Sequence, residues 1–471
     1  MKRVAVIGGG LGGMTAAGEL ARLGHAVTLF ERGHSLGGKA QLLGEGAVPV
    51  DVGPTLLTLP HVVREGFRRL DAEDLLPRLI ELEHQSHTRF HDGKTFDVWR
   101  DLERTVASAE ALQAGEGEAV RRFYAEAAEV HRAAGEPYLD APFEGAFEYL
   151  TRVARRGLGL LWKGSRLGTL QAFAEACFKS PHLQKFAGRF ATYAGASPYE
   201  ASAAFALVPH IERAFGVHHV EGGMGALSAA LAKALARLGV QTRLGVEASW
   251  QPWRTGFAVG PTSDQTHYDA VVVNADPLAS LGREHERLAL SGYVLLLDAP
   301  DVKLPHHAVS FAADYAAEFQ ALFEGRVADD VTFYVCHAAA TDPSMRVAER
   351  SGLLVMVNVH PLVYGADFAT LGPKLRARCL AHVRELGVRD ARVIGERTPV
   401  DFANAGAPKG SIYGFLPHGR FGPFRRPRIR SRTRGLFYSG GGTHPGGGVP
   451  LVMLSGHFAA QLAAESLGAG A

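Results

Sequence analysis

Residues Val4 to Glu31 constrain this chain more than any other stretch. Val4-Ala5-Val6-Ile7 is a short apolar run of the kind that forms a strand buried on both faces. Gly8-Gly9-Gly10-Leu11-Gly12-Gly13 follows and fits G-x-G-x-x-G. Gly8 turns the chain, Gly10 leaves room for a pyrophosphate, and Gly13 lets the next helix approach the sheet. Ala16, Ala17, Leu20 and Leu23 recur at helical spacing and predict a helix from about Met14 to Leu23. Its N-terminus would offer free N–H groups and a positive dipole end to phosphates. Ala26 to Phe30 predicts a second strand. Glu31, eighteen positions beyond Gly13, stands where an acid can take a ribose hydroxyl. Together these features predict a dinucleotide site. A bare glycine-rich turn would suit other doubly wound folds equally well.

A nicotinamide-binding domain would usually continue into another helix and a third strand. Here a second glycine-rich loop, Arg32-Gly33-His34-Ser35-Leu36-Gly37-Gly38-Lys39-Ala40, comes first, and then Val48-Pro49-Val50-Asp51-Val52-Gly53-Pro54-Thr55. No second G-x-G-x-x-G occurs, which suggests that electrons enter from the substrate rather than from NAD(P)H.

Glycine makes up 56 of 471 residues, and the excess sits at the two ends that carry glycine loops, so it marks function rather than low complexity. A net charge of +2 gives no global field for nucleic acid. The three cysteines, Cys177, Cys336 and Cys379, form no C-x-x-C. They suggest a reducing compartment without a disulfide framework, and no metal site is expected. Met1-Lys2-Arg3 before apolar residues could mimic a signal peptide, but the glycine fingerprint inside that region argues against one. No uncharged apolar run approaches the roughly 18 residues that span a bilayer. A soluble or peripheral protein of the cytoplasmic side is expected.

Further along, Thr88 to His91 and Thr95 to Trp99 flank Asp92-Gly93-Lys94 and predict a hairpin. Residues from about Glu103 to Phe215 predict a mostly helical insertion. Within it, Arg152 to Lys163 sets arginines around Leu158, Leu160, Leu161 and Trp162. Such a segment can lie in a membrane interface or simply turn its leucines into the core. Val220 to Leu227 opens a helix to about Leu238. Strands are expected at Val240 to Val246, at Asp269 to Asp276, and in three apolar runs near Tyr293, Thr332 and Leu353. A helix is expected from about Leu371 to Leu386. Arg420 to Arg434 holds seven arginines, which suit a solvated loop or an anionic-lipid contact better than nucleic acid, since no nucleic-acid motif accompanies them. Leu436 to Pro450 repeats the pattern of strand, glycine loop and helix N-terminus. Its His444, beside Pro445 and without a partner carboxylate in the motif, reads as a loop-shaping residue rather than a base.

The two ends, with Glu221 to Leu227 and Val271 to Asp276 between them, make the whole chain resemble the bacterial carotenoid desaturases of the FAD-dependent amine oxidase superfamily. Thr443-His444-Pro445-Gly446-Gly447-Gly448-Val449-Pro450 carries that family's C-terminal pattern. Gly410 to Gly419 and Leu454-Ser455-Gly456 resemble its hydroxycarotenoid 3,4-desaturase branch more than the phytoene desaturases. The resemblance implies an α/β fold: a Rossmann-like FAD-binding domain of the GR2 flavoprotein type, with a substrate domain of mixed sheet plus a helical insertion. Residues 1–75, 216–290 and 392–471 would form the FAD-binding domain. Residues 76–102 and 291–391 would form the substrate sheet, and 103–215 a membrane-facing helical insertion.

The resemblance also implies the site. Gly8, Gly10, Gly12, Gly13, Glu31, Arg32, Gly37, Gly38, Lys39, Asp51, Gly53, Val246, Gly442, Thr443, Gly446, Gly448 and Val449 would hold FAD. Most relatives have arginine where Lys39 stands, which keeps the charge and loses the two-pronged donor. Tyr413 and His418 would meet the substrate, and no catalytic residue is assigned. The implied reaction withdraws two hydrogens from a polyene C–C bond, which needs a two-electron acceptor that no side chain supplies. A carotenoid, a membrane surface, and oxygen or a quinone would be its partners. The alternatives are a phytoene desaturase, another oxidase of the superfamily, and a flavin-free binder like the Rab guanine-nucleotide dissociation inhibitors. An amine oxidase with covalent flavin would want a cysteine near the C-terminal motif, and none is there.

Overall fold

Five parallel strands build the smaller main sheet, in the order Leu436–Tyr438, Ala270–Val273, Arg3–Ile7, Ala26–Glu31, Gln241–Leu244. The computed structural model describes residues 1–43, 48–155, 168–283 and 287–468. Val4, Ala5, Val6, Val271 and Val272 have no exposed surface, which explains why their strands read as continuous apolar runs. The Leu11–Arg22 helix covers this sheet and crosses the C-terminal Val449–Ser466 helix. They cross at glycines: a β-carbon on Gly456 would lie 2.2 Å from Gly12 O. Ser455 Oγ accepts the Gly440 N–H at 3.0 Å. Leu454-Ser455-Gly456, expected to mark the substrate branch, is thus packing inside the dinucleotide-binding unit.

The larger sheet has eight strands. Its main path runs Arg392–Arg397, Ser291–Pro300, Arg350–Val359, Phe333–Cys336, His307–Ser310, His84–Arg89, Thr95–Trp99. The predicted hairpin is there, with Gly93 at φ +83° in its turn. One expectation needs correction. Arg392–Arg397 was assigned to the dinucleotide-binding part, yet it pairs antiparallel with Ser291–Pro300 on the edge of the larger sheet. The long buried Ser291–Pro300 strand has ladder groups to satisfy on both sides. The arginines and glutamate of this edge strand disguise it as a connection.

The insertion is helical where it is described. Arg152 to Arg155 end the Ala146–Arg155 helix, and the leucines and tryptophan of the expected interfacial segment lie outside the described residues. Among the described residues, no helix is long and apolar enough to cross a membrane.

Candidate active site

The first glycine loop is shaped by its neighbours. Gly8 sits at φ +101°, a conformation that side chains resist, and its N–H donates to Phe30 O at 2.8 Å. Gly10 caps the following helix with ordinary extended dihedrals. Gly13 has no room, since a β-carbon there would lie 2.1 Å from Gly8 O. The second loop docks on the first: Gly37 N–H donates to Gly9 O at 2.8 Å, and a β-carbon on Gly38 would lie 3.0 Å from Gly10 Cα. Glu31 braces the turn, accepting Gly9 N–H and Gly33 N–H at 2.7 Å each.

The third glycine loop meets the same place through Asn274, a residue the sequence reading left without a role. Asn274 stands just past the Ala270–Val273 strand. Its side chain accepts from Ser439 Oγ at 3.1 Å, and β-carbons on Gly10, Gly12 and Gly440 would each come within 2.7–2.8 Å of its amide. The only sequence signal was that the strand ended in polar residues.

Two further residues join the site, again missed in the sequence. Asp276 Oδ1 caps the short helix at Leu278 N–H, while Oδ2 would meet β-carbons on Gly442 and Gly414. Burial holds its carboxyl above the usual range despite Lys39 and Arg426 nearby. Arg426 is buried and donates to Gly441 O at 2.6 Å. Lys39 keeps exposed surface, yet the surrounding protein lowers its pKa through burial. Its Nζ donates to Ile412 O at 2.7 Å.

The other expected contacts divide. Asp51 Oδ1 caps the Met224–Arg237 helix at 2.8 Å from Met224 N, and burial pushes its carboxyl up to about 7. Gly53 lies against the Lys39 backbone. Val246 donates its N–H to Glu31 O at 3.0 Å, so only its carbonyl stays available. Arg32 donates to Asn404 O, away from the glycine loops. Thr443 spends its hydroxyl on Pro427 O at 2.6 Å. Gly446, at φ +134°, faces Arg426, and Gly448 and Val449 start the C-terminal helix. His418 uses both ring nitrogens within the protein. Its Nε2 accepts Ser197 N–H at 2.9 Å and its Nδ1 pairs with Glu200 at 3.0 Å, so both nitrogens tie the insertion to the C-terminal segment. The Tyr413 hydroxyl has no hydrogen-bond partner among the described residues, and burial raises its pKa to about 12. Tyr413 follows Ile412, which binds Lys39, and precedes Gly414, which touches Asp276. His444 is buried among Tyr138, Phe143 and Phe458, as a loop-shaping residue should be.

A parallel five-stranded sheet, three converging glycine loops and the cations Lys39 and Arg426 near Asp276 define a Rossmann-type, dinucleotide-dependent oxidoreductase. Residues 6–70 match the family model of an NAD(P)-binding Rossmann-like domain. Cyclohexylamine oxidase from Brevibacterium oxydans shares the fold, with a TM-score of 0.64 over 99% of both chains at 14% identity. Hydroxyneurosporene desaturase from Cereibacter sphaeroides is 34% identical, covering 98% of this chain and 97% of that one. The zeta-carotene-forming phytoene desaturase of Myxococcus xanthus is 29% identical, covering 99% and 94%. The chain belongs to the bacterial carotenoid desaturase family, whose members and structural neighbours are generally FAD-dependent oxidoreductases.

Proposed function

We propose that this desaturase binds FAD non-covalently and acts on an acyclic carotenoid bearing a hydroxyl or methoxyl near one end, at the adjacent 3,4 bond. The observation that carries the reading is full-length similarity to a relative named for a hydroxylated substrate, joined to the Tyr413 hydroxyl, which makes no hydrogen bond among the described residues. Bound FAD supplies the two-electron acceptor, with oxygen or a quinone as the final one. The chain's residues do the rest. The Gly8–Gly13 and Gly37–Gly38 backbones and the first helix N-terminus cradle the diphosphate. Lys39 and Arg426 balance its charge. Glu31 keeps lone pairs for the ribose while its backbone contacts hold it in place.

A hydrocarbon tunnel discriminates weakly, because one methylene is worth only ~1–3 kcal/mol. A site that hydrogen-bonds a substrate oxygen rejects the unsubstituted analogue more strongly, since its own polar group would stay unpaired. Offered lycopene-type and 1-hydroxylated polyenes together in liposomes, the enzyme should desaturate the hydroxylated one preferentially. Tyr413→Phe should cut that preference by about tenfold. Efficient desaturation of phytoene with no preference for the hydroxylated polyene would place the protein with the phytoene desaturases instead.

A lipid-soluble substrate calls for a membrane-facing surface. On the Ala146–Arg155 helix, Phe147 and Leu150 are exposed at 83% and 48%, while Tyr149 packs against Phe424. Phe421 is 65% exposed three residues before Phe424. Exposed Arg420, Arg425 and Arg428 lie in the same segment. Apolar tips with a basic rim suit an anionic bilayer. The triple change Phe147→Ser, Leu150→Ser and Phe421→Ser should release protein from phosphatidylglycerol-containing vesicles in flotation. Unchanged flotation would assign the contact to another surface.

A further inference from the structure

The outer hairpin of the larger sheet gathers three side chains that the reaction does not use. His84 and His87 lie on the His84–Arg89 strand, and Asp97 on the Thr95–Trp99 strand. Nε2 of His84 and Nδ1 of His87 each lie 2.8 Å from the same oxygen, Oδ1 of Asp97. The three ligand atoms all fall within 4.8 Å of one another.

Residues three apart on a regular strand face opposite sides of the sheet. Here the register is His84↔Trp99, Ser86↔Val98 and His87↔Asp97, with an irregularity that leaves Gln85 unpaired. That one extra residue turns His84 to the side of His87. Bulges commonly re-aim a side chain in this way.

The neighbours fix the trio. His84 stacks on Trp99 with ring centres 4.1 Å apart, and the Arg104 guanidinium lies 3.4 Å over the indole. Asp97 N–H donates to Ser108 Oγ and Trp99 N–H to Thr105 Oγ1, which bolts the strand to the Leu102–Leu112 helix. The ligand side chains are 26–31% exposed, so a hydrated ion can reach them and keep solvent in its remaining positions. Burial favours the neutral acid at Asp97, but the hydrogen bonds from His84 and His87 outweigh it and hold the carboxyl well below the usual range.

We propose that His84, His87 and Asp97 form a binding site for a borderline divalent cation of the Zn²⁺ type, which clasps this hairpin at its junction with the helical insertion. Two imidazoles and one carboxylate are a donor set Zn²⁺ accepts, with water completing a tetrahedron. Ligand distances of about 2.0–2.1 Å put tetrahedral ligands roughly 3.3 Å apart. The two 2.8 Å contacts to Asp97 would open by about half an ångström to reach that spacing. The cysteine spacing gave no hint of this site, because its ligands come from two strands and depend on the bulge. A second trio, His306, His307 and Cys336, is sealed in the core, and Nδ1 of each histidine already meets a hydroxyl.

The test uses tag-free, flavin-loaded full-length protein, stripped with chelator at pH near 7.5. Calorimetric titration with Zn²⁺ should show one equivalent bound, and a hundredfold excess over Kd should raise Tm by about 2 °C or more. Co²⁺ should give tetrahedral d–d absorption and quench Trp99. His84→Ala, His87→Gln and Asp97→Asn should each weaken Zn²⁺ binding at least tenfold, while His91→Ala, on the exposed turn of the same hairpin, should not. Absence of saturable binding by the wild type would mean a hydrogen-bonded cluster only. Unchanged affinity in both His84→Ala and His87→Gln would put the ion elsewhere. Either result overturns the proposal.

Discussion

Gly10→Val should leave a folded protein that has lost its flavin. Gly10 adopts φ −71° and ψ 170°, open to any residue, so valine brings no backbone strain. Its β-carbon would lie 2.8 Å from Asn274 Nδ2 with nothing else closer than 4.0 Å, and an amide group can shift. Apart from Asn274, that carbon faces open space at the helix N-terminus, which a diphosphate needs for close approach. FAD affinity should fall at least 100-fold, about 3 kcal/mol, while far-UV circular dichroism and Tm stay near those of the wild type. Gly13→Val is the contrast. Its β-carbon would meet Gly8 O at 2.1 Å and Asn274 Cβ at 2.9 Å, while Gly8 is itself tied to Phe30. That clash should cost more than about 4 kcal/mol and prevent folding. Flavin absorption after reconstitution and dialysis reads both variants. A Gly10→Val protein that retains stoichiometric flavin would remove the proposed cradle.

The contrast between these glycines shows what was legible in the chain. The strand, loop and helix around Gly8 to Gly13 are local, so spacing alone exposed them. The hairpin at Asp92-Gly93 was legible for the same reason. Asn274, Asp276 and Arg426 were not, because each acquires its role from a loop far away in sequence. Asn274 matters only because Ser439 and the glycines at 10, 12 and 440 arrive beside it. Tyr413 and His418 looked equivalent on paper. Packing separated them by spending both His418 nitrogens on Ser197 and Glu200. The Arg392–Arg397 strand was hidden by edge position, where charged residues are tolerated and alternation is weak. The bulge at Gln85 inverts the facing that strand periodicity assigns, so no counting of positions could have paired His84 with His87.

His444 should make the protein acid-sensitive, and His444→Phe should blunt that sensitivity. The imidazole is 1% exposed, with Nε2 3.2 Å from Ala141 O and Nδ1 without a partner among the described residues. Burial lowers its pKa to about 3, with the Ala141 contact opposing and Arg152 and Arg426 adding to the shift. An unfolded histidine titrates near 6.5. Between about pH 6.5 and 3 the unfolded chain therefore takes up a proton that the folded chain refuses. Stability contributed by the neutral ring is complete above pH 6.5 and falls as pH drops, by about 1.4 kcal/mol per pH unit, until the folded pKa is reached. Phenylalanine keeps the contacts with Tyr138, Phe143 and Phe458 and removes the titration. It forfeits one long hydrogen bond, worth about 1 kcal/mol at every pH. Urea unfolding from pH 8 to 4 should then show the variant slightly weaker at pH 8. At pH 4 it should be relatively stronger, with the wild type having lost about 3 kcal/mol more over the interval. Parallel stability curves for the two proteins would mean that His444 is solvated or protonated in the folded state, and the aromatic packing around the C-terminal glycine loop would have to be redrawn.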